Sequence, residues 1–308
     1  MDTQPVADPV SAGGRHYRYH GCFPTAEELP MKLNDIQRIA AFDDDGQGGN
    51  PAGVWLGDAL PPAAEMASVA HELGFSETAF AAPEGEGWRV RYFSPESEVP
   101  FCGHATIALG AALARAHGDG RYALVLNAAA ITVEGRREGE RVQAALQSPP
   151  TRSAPAPAPL VDAALALFGL ARADLDPRIP PACAHGGADH LVLALARRAS
   201  LRAMHYALDA GRALMREHGL VTIVLAWAEH DSLFHVRNPF ASGGVYEDPA
   251  TGAGAAALAG YLRDLGWPHG GRIDIVQGED MGMRSRLSAE IGPEAGASIR
   301  VSGTARVM

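Results

Sequence analysis

The sequence predicts an α+β protein made by tandem duplication of two similar α/β halves, each a curled mixed sheet around a central helix of small residues. Three observations predict it. Strand-like and helix-like segments alternate from residue 34 onward. One order of segments then occurs twice at a nearly constant offset. Two helical stretches are also about half alanine and glycine, with no polar stripe to turn towards water.

In chain order, IQRIAAF (36–42) reads as a strand and DDDGQGGNP (43–51) as a turn cluster. AGVWL (52–56) resumes a strand. PPAAEMASVAHELG (61–74) reads as a helix, with prolines at its start, Met66, Val69, Ala70 and Leu73 on one face, and Gly74 as its stop. FSETAFAAP (75–83) and WRVRYFS (88–94) follow as strands. SPESEVPFCG is a loop leading into the helix HATIALGAALARAHG. The second half repeats this order: GGADHLVLAL (186–195) as a strand, DAGRALMREHG (209–219) as a helix, LVTIVLAWA and DSLFHVRNPF as strands, and EDPATGAGAAALAGYLRDLG as a helix.

The offset is what makes the echo a duplication. Gly74 to Gly219 and Ala105 to Ala250 are each 145 residues, and Pro95 to Pro239 is 144. ATIALGAAL from Ala105 and ATGAGAAAL from Ala250 agree at six of nine positions. The boundaries this implies are 34–150 and 151–290, joined near the linker-like SAPAPAPL (153–160), with 291–308 returning to the first half. Residues 1–33 lack periodicity and read as a disordered extension, with Met31 as an alternative start.

Bulk properties narrow the function. The net charge of -10 argues against a nucleic-acid partner. Cys22, Cys102 and Cys183 have neither disulfide nor zinc spacing, so a reducing, cytoplasmic setting without a structural metal is expected. The most apolar run, residues 219–228, is far short of a membrane span. No secretory signal pattern opens the chain.

Chemistry is expected where the two small-residue helices begin. Buried helix N-termini offer free backbone N–H groups and a favourable dipole to a carboxylate. Gly103, Thr251, Gly252 and Ala253 stand at those starts. Glu77 follows a helix stop, while its counterpart in the second half is Thr222, so only one half brings a carboxylate there. In an apolar cleft such a group becomes basic enough for proton transfer near neutrality. On residue grounds alone Glu77 reads equally as a cap or ion-pair partner at a strand edge, Asp248 as a helix cap, and Asn50 as a turn asparagine. Cys102 reads as a small buried residue. His185 and His190 read as non-metal, and Arg284 and Arg286 as solvent-facing or ion-paired.

GGNPAGV, LGFSETAFA, FSPESEVPFCGHAT, YEDPATGAGAAAL and QGEDMGMRSRL together resemble the signature segments of the phenazine-biosynthesis PhzF-like family, from about residue 35 to the C-terminus. The resemblance implies a diaminopimelate epimerase-like fold, with the active site between its halves. It implies a cofactor-independent isomerase that works as a homodimer on a small carboxylate substrate, with no nucleic-acid or membrane partner. It assigns Glu77 as catalytic acid/base, and His104, Asp248, Gly103, Asn50, Thr251, Gly252 and Ala253 as substrate-binding residues. Ala253 departs from the serine expected after ATG. Two alternatives remain: a non-catalytic binding module on the same fold, and a dinucleotide enzyme. The latter is suggested by GAGAAA (252–257), which fits G-x-G-x-x-A, with Asp274 twenty residues past Gly254.

Overall fold

The computed structural model describes residues 31–308; the expected extension lies, up to Pro30, outside the described residues. In the first half, strand Gln37–Asp43 runs antiparallel to Asn50–Leu56, which runs parallel to Thr78–Glu84 across the helix Ala63–Leu73. Thr78–Glu84 then pairs antiparallel with Gly87–Phe93, and that strand pairs parallel with Gly120–Val125. The second half repeats the order. Ala182–His185 is antiparallel to Asp189–Ala194, which is parallel to Thr222–His230. Thr222–His230 is antiparallel to Leu233–Phe240, which is parallel to Arg272–Gln277. The duplication is therefore carried in strand direction as well as in sequence.

The first sheet closes on itself. Gly120–Val125, Ala130–Glu138 and Arg141–Gln147 follow as an antiparallel meander. The final strand, Arg300–Val307, pairs with Arg141–Gln147 on one side and Gln37–Asp43 on the other. It also pairs with Ser285–Glu290 of the second half, so one strand is stitched into both sheets.

A helix fills each sheet. In the first core helix, Gly103–His117, every residue from Gly103 to Ala114 is buried. In the second, Gly252–Leu265, every residue from Gly252 to Arg263 is buried. Only small side chains permit this. A Cβ on Gly135 would lie 2.4 Å from the carbonyl oxygen of Gly110, and one on Gly186 would lie 2.5 Å from the backbone nitrogen of Ala257. Ile107, Leu109 and Leu113 fill the remaining space, each fully buried and contributing about 1.5–3 kcal/mol of apolar burial. One continuous core runs from Ile39 in the first half to Ile275 and Leu287 in the second.

Three expectations need correction. EDPATGAGAAALAGYLRDLG is not all helix: Val245–Asp248 is a short strand against Leu233–Phe240, and the helix begins at Gly252. Proline 249 and the ladder to the neighbouring strand override the helical composition. The stretch 153–160 is not slack chain, because Arg152–Pro155 pairs with Ala182–His185 and the helix Ala158–Leu167 starts directly after Pro157. The fingerprint GAGAAA lies within the second core helix rather than in a loop before it, so it cannot cradle a pyrophosphate from a glycine turn. Among the described residues no helix is long and apolar enough to cross a membrane.

Candidate active site

The two core helices meet at their N-termini. A Cβ on Gly103 would lie 2.9 Å from Gly252 Cα and 3.0 Å from the backbone nitrogen of Ala253. Both helices are entered from the same kind of element, a short strand on the preceding hairpin: Glu98–Val99 in one half and Val245–Asp248 in the other. Neither helix carries a side-chain cap at its first residue. Two sets of backbone donors and two helix dipoles therefore converge on one place.

Glu77 sits there because Gly74, in the left-handed conformation (φ 71°), turns the chain out of the helix Ala63–Leu73 and into the strand Thr78–Glu84. Its side chain is 6 % exposed. His104, at the start of the first core helix, places Nε2 at 3.6 Å from Glu77 Oε2 and 3.3 Å from Ser76 Oγ. Its Nδ1 lies 3.3 Å from Cys102 Sγ. Burial pulls the His104 pKa down to about 3, so the imidazole is neutral and its contact with Glu77 is a polar one, not an ion pair. Burial raises the Glu77 pKa, opposed by hydrogen bonds from Ser76 and Cys102. Burial and the charge of Glu77 raise the Cys102 thiol well above its ordinary value. Cys102 is buried, as its composition suggests, but it also belongs to this polar cluster.

The second half supplies Asp248. It does not cap the helix; Thr251 is the residue before the first turn. Instead Asp248 Oδ2 accepts the Thr251 hydroxyl at 2.6 Å, and Oδ1 accepts the Asn50 amide at 2.7 Å. Asn50 also donates to the Ala250 carbonyl at 3.0 Å; it is not the turn asparagine the sequence suggests but the first residue of the strand Asn50–Leu56, paired with Ala41, and from there it clamps the loop of the other half. Burial, reinforced by the nearby Glu77 charge, pushes the Asp248 pKa up to about 7. Ala253 is buried at the same helix start and offers only its backbone.

Sequence reasoning did not single out Gln277. At the end of strand Arg272–Gln277, its Nε2 donates to the Asp248 carbonyl (2.7 Å) and to Thr251 Oγ1 (3.0 Å), while its Oε1 accepts the Thr251 N–H (3.2 Å). Its only sequence signal is the Q that opens QGEDMGMRSRL. Behind it, the buried Arg237–Glu247 pair, with Nε to Oε1 at 2.9 Å, fixes the strand that carries Asp248. Arg284 and Arg286 are outside the cluster, where both pair with Asp44. His190 is also outside it, bonded to Thr222 at 2.8 Å.

A cavity of about 440 Å³ between the halves reaches Glu77. Phe75, Phe101 and Phe240 are among its walls, with the segment Ser242–Val245 of the second half along one side. A groove of about 540 Å³ elsewhere on the surface is lined by Asp44, Arg141 and Arg286, which are engaged in ion pairs with each other or with neighbours; it touches none of these site residues.

The arrangement can be compared with known proteins. A model of the family described as "Phenazine biosynthesis-like protein" matches residues 39–308. This chain belongs to the PhzC-PhzF family. It is 32 % identical over 275 residues to the trans-2,3-dihydro-3-hydroxyanthranilate isomerase of Pseudomonas aeruginosa, covering 86 % of this chain and 94 % of that protein. The enzyme of the same name from Pseudomonas chlororaphis is 30 % identical over 85 % of this chain and 92 % of its own length. Among solved structures, a PhzF-family phenazine biosynthesis protein from Bacillus anthracis superposes with a TM-score of 0.77 at 21 % identity, covering 89 % of this chain and 96 % of that one. A hydroxyproline epimerase from Agrobacterium vitis superposes with a TM-score of 0.59 at 11 % identity, covering 89 % and 88 %. The fold is the diaminopimelate epimerase-like one that PhzF proteins share with proline racemases. Like its named relatives, this PhzF-family chain is an isomerase.

Proposed function

We propose that this isomerase works by acid/base proton transfer on a small carboxylate-bearing substrate held between its halves, with Glu77 as the proton carrier and no cofactor in the chemical step. The observation that carries the reading is Glu77 itself. Its side chain is 6 % exposed, made more basic by burial, and it lines a 440 Å³ cavity beside a neutral imidazole. A solvated surface carboxylate would be too weak a base for a carbon acid; a desolvated one approaches the working pH. In its ionised form Glu77 takes a proton from a carbon next to an activating carboxylate or π-system. The same proton, or one exchanged with solvent, returns to another carbon, so the reaction is balanced without oxidant or reductant.

The N–H groups at Gly103, Gly252 and Ala253 hold the substrate carboxylate, where helix dipoles favour negative charge. His104, Asn50 and Asp248 orient the substrate and stabilise charge that builds up during transfer. Thr251, locked by Asp248 and Gln277, keeps the second helix start in place. The Pseudomonas relatives are named for trans-2,3-dihydro-3-hydroxyanthranilate, which makes it the first compound to offer. Proton NMR of that compound with the protein tests the substrate: migration of the ring double bonds at unchanged mass supports it, and an unchanged spectrum removes it. Parallel runs with a chelator and with added Zn2+ are needed controls, because Glu77, Cys102 and His104 each bring a possible ligand atom within 4.8 Å of one another. The homodimer belongs to the same proposal; light scattering at the monomer mass would contradict it.

A further inference from the structure

The cavity that reaches Glu77 has a second feature that the proton-transfer chemistry does not use. Among the described residues that line it, Arg216 is the only cation. It stands on the helix Leu208–Glu217 of the second half, and its guanidinium is tethered rather than free to sweep through solvent: Nη2 donates to the Ser242 carbonyl at 3.1 Å. Among the described residues it has no acidic partner within salt-bridge distance, whereas neighbouring Arg212 pairs with Asp209. The other ionisable groups on the same cavity are the buried Glu77 and Glu96 on the loop before the first core helix. The other walls are mainly apolar, with Phe75, Val99, Phe101, Val221, Phe240 and Val245.

Resting on the proton-transfer reading, we infer that Arg216 is a specificity-determining residue, and that the substrate is a ring-bearing acid with a second anionic group at its far end. The helix starts favour one carboxylate, held by backbone donors, but not two, because the carboxyl groups of Glu77 and Asp248 are already buried beside them. A second anion on the same molecule is therefore directed away from the helix starts. The apolar walls suit a flat or puckered ring, and among the described residues that line the cavity Arg216 is the one cation available to an anion beyond that ring. A planar guanidinium with one face already held by a carbonyl keeps two donors for a carboxylate and loses little freedom on binding.

The test uses unreactive ring acids, so it does not depend on the reaction. Isothermal titration of the full chain with benzoate, benzene-1,3-dicarboxylate and benzene-1,4-dicarboxylate compares one anion with two. The wild-type protein is expected to bind at least one dicarboxylate about tenfold more tightly than benzoate. Arg216→Gln is expected to remove that preference while leaving benzoate within about twofold, and Arg216→Lys to restore part of it. Equal binding of mono- and dicarboxylates by the wild type, no binding of either, or a preference unchanged in Arg216→Gln would each overturn the inference. A dicarboxylate preference without any proton exchange would instead leave the anion site standing and remove the catalytic reading.

Discussion

Replacing Gly103 by alanine probes the contact on which the site depends. The added Cβ would lie 2.9 Å from Gly252 Cα and 3.0 Å from the Ala253 nitrogen. Ordinary contacts between such atoms are about 3.5–4.0 Å, so roughly half an ångström or more must be absorbed by two backbones. Neither can swing aside as a side-chain tip would. Overpacking of this kind costs about 1–3 kcal/mol. Helix propensity pulls the other way, since alanine is favoured over glycine by up to about 1 kcal/mol. The net expectation is a loss of about 1–2 kcal/mol, or a fall of roughly 2–3 °C in Tm for a chain of this size. The two helix starts would also move apart, and a displacement of a few tenths of an ångström at a proton-transfer site is expected to lower the rate about tenfold. Thermal unfolding by circular dichroism, with proton exchange as the activity assay, reads both effects. Gly292→Ala is the control: its Cβ would meet nothing within 4 Å, and a change under about 0.5 kcal/mol is expected. A Gly103→Ala protein with raised Tm and full activity would mean that propensity outweighs sterics and that the halves do not touch here.

Three other outcomes follow from the same geometry. Asp248 has a folded-state pKa of about 7 against an ordinary 3.8, so the folded state holds its proton more tightly; this favours folding at low pH and is lost as pH rises from about 4 through 7. The Tm of Asp248→Asn minus that of wild type, from calorimetry, should therefore grow between pH 4 and 8; a flat difference would contradict the raised pKa. Gln277→Leu leaves the Thr251 N–H and the Asp248 carbonyl unpaired in the interior, and should cost about 2–4 kcal/mol in urea unfolding. Arg237→Met strands the buried Glu247 carboxylate and should cost about 3–5 kcal/mol, most of it recovered in the Arg237→Met/Glu247→Leu double variant; equal losses in single and double variants would show that the pair matters only for packing.

The duplication was legible because it rests on composition. A helix with no polar face has to be buried all round, and two such helices at a fixed offset require two similar containers. Glycines and prolines mark the helix–strand junctions at which Glu77, His104 and Asp248 stand, but the residues alone read equally as caps or ion-pair partners, and the roles assigned to them come from the family resemblance. What the sequence concealed depends on contacts between distant segments. The strand Val245–Asp248 exists through its pairing with Leu233–Phe240, which overrides the small-residue composition that follows it. The meander from Gly120 to Gln147 has no echo in the repeat offset, so periodicity did not reveal it. Gln277 is one amide at a strand end, and its role appears only when Thr251, 26 residues earlier, folds against it. Arg216 looks like any exposed arginine on an amphipathic helix until the cavity it lines is seen.

The account's central claim is that Glu77 moves a proton to and from carbon in the cleft between the halves. Solvent exchange tests it most directly: wild type and Glu77→Gln in deuterated water, each with trans-2,3-dihydro-3-hydroxyanthranilate and a panel of cyclic amino acids and ring dicarboxylic acids, read by mass spectrometry. The account predicts deuterium at a carbon of at least one compound with the wild type, and roughly 10²–10⁴-fold slower uptake with Glu77→Gln, which keeps the shape of the side chain but not its basicity, the order expected for removing a catalytic base. Uptake at the same rate in both proteins would contradict it.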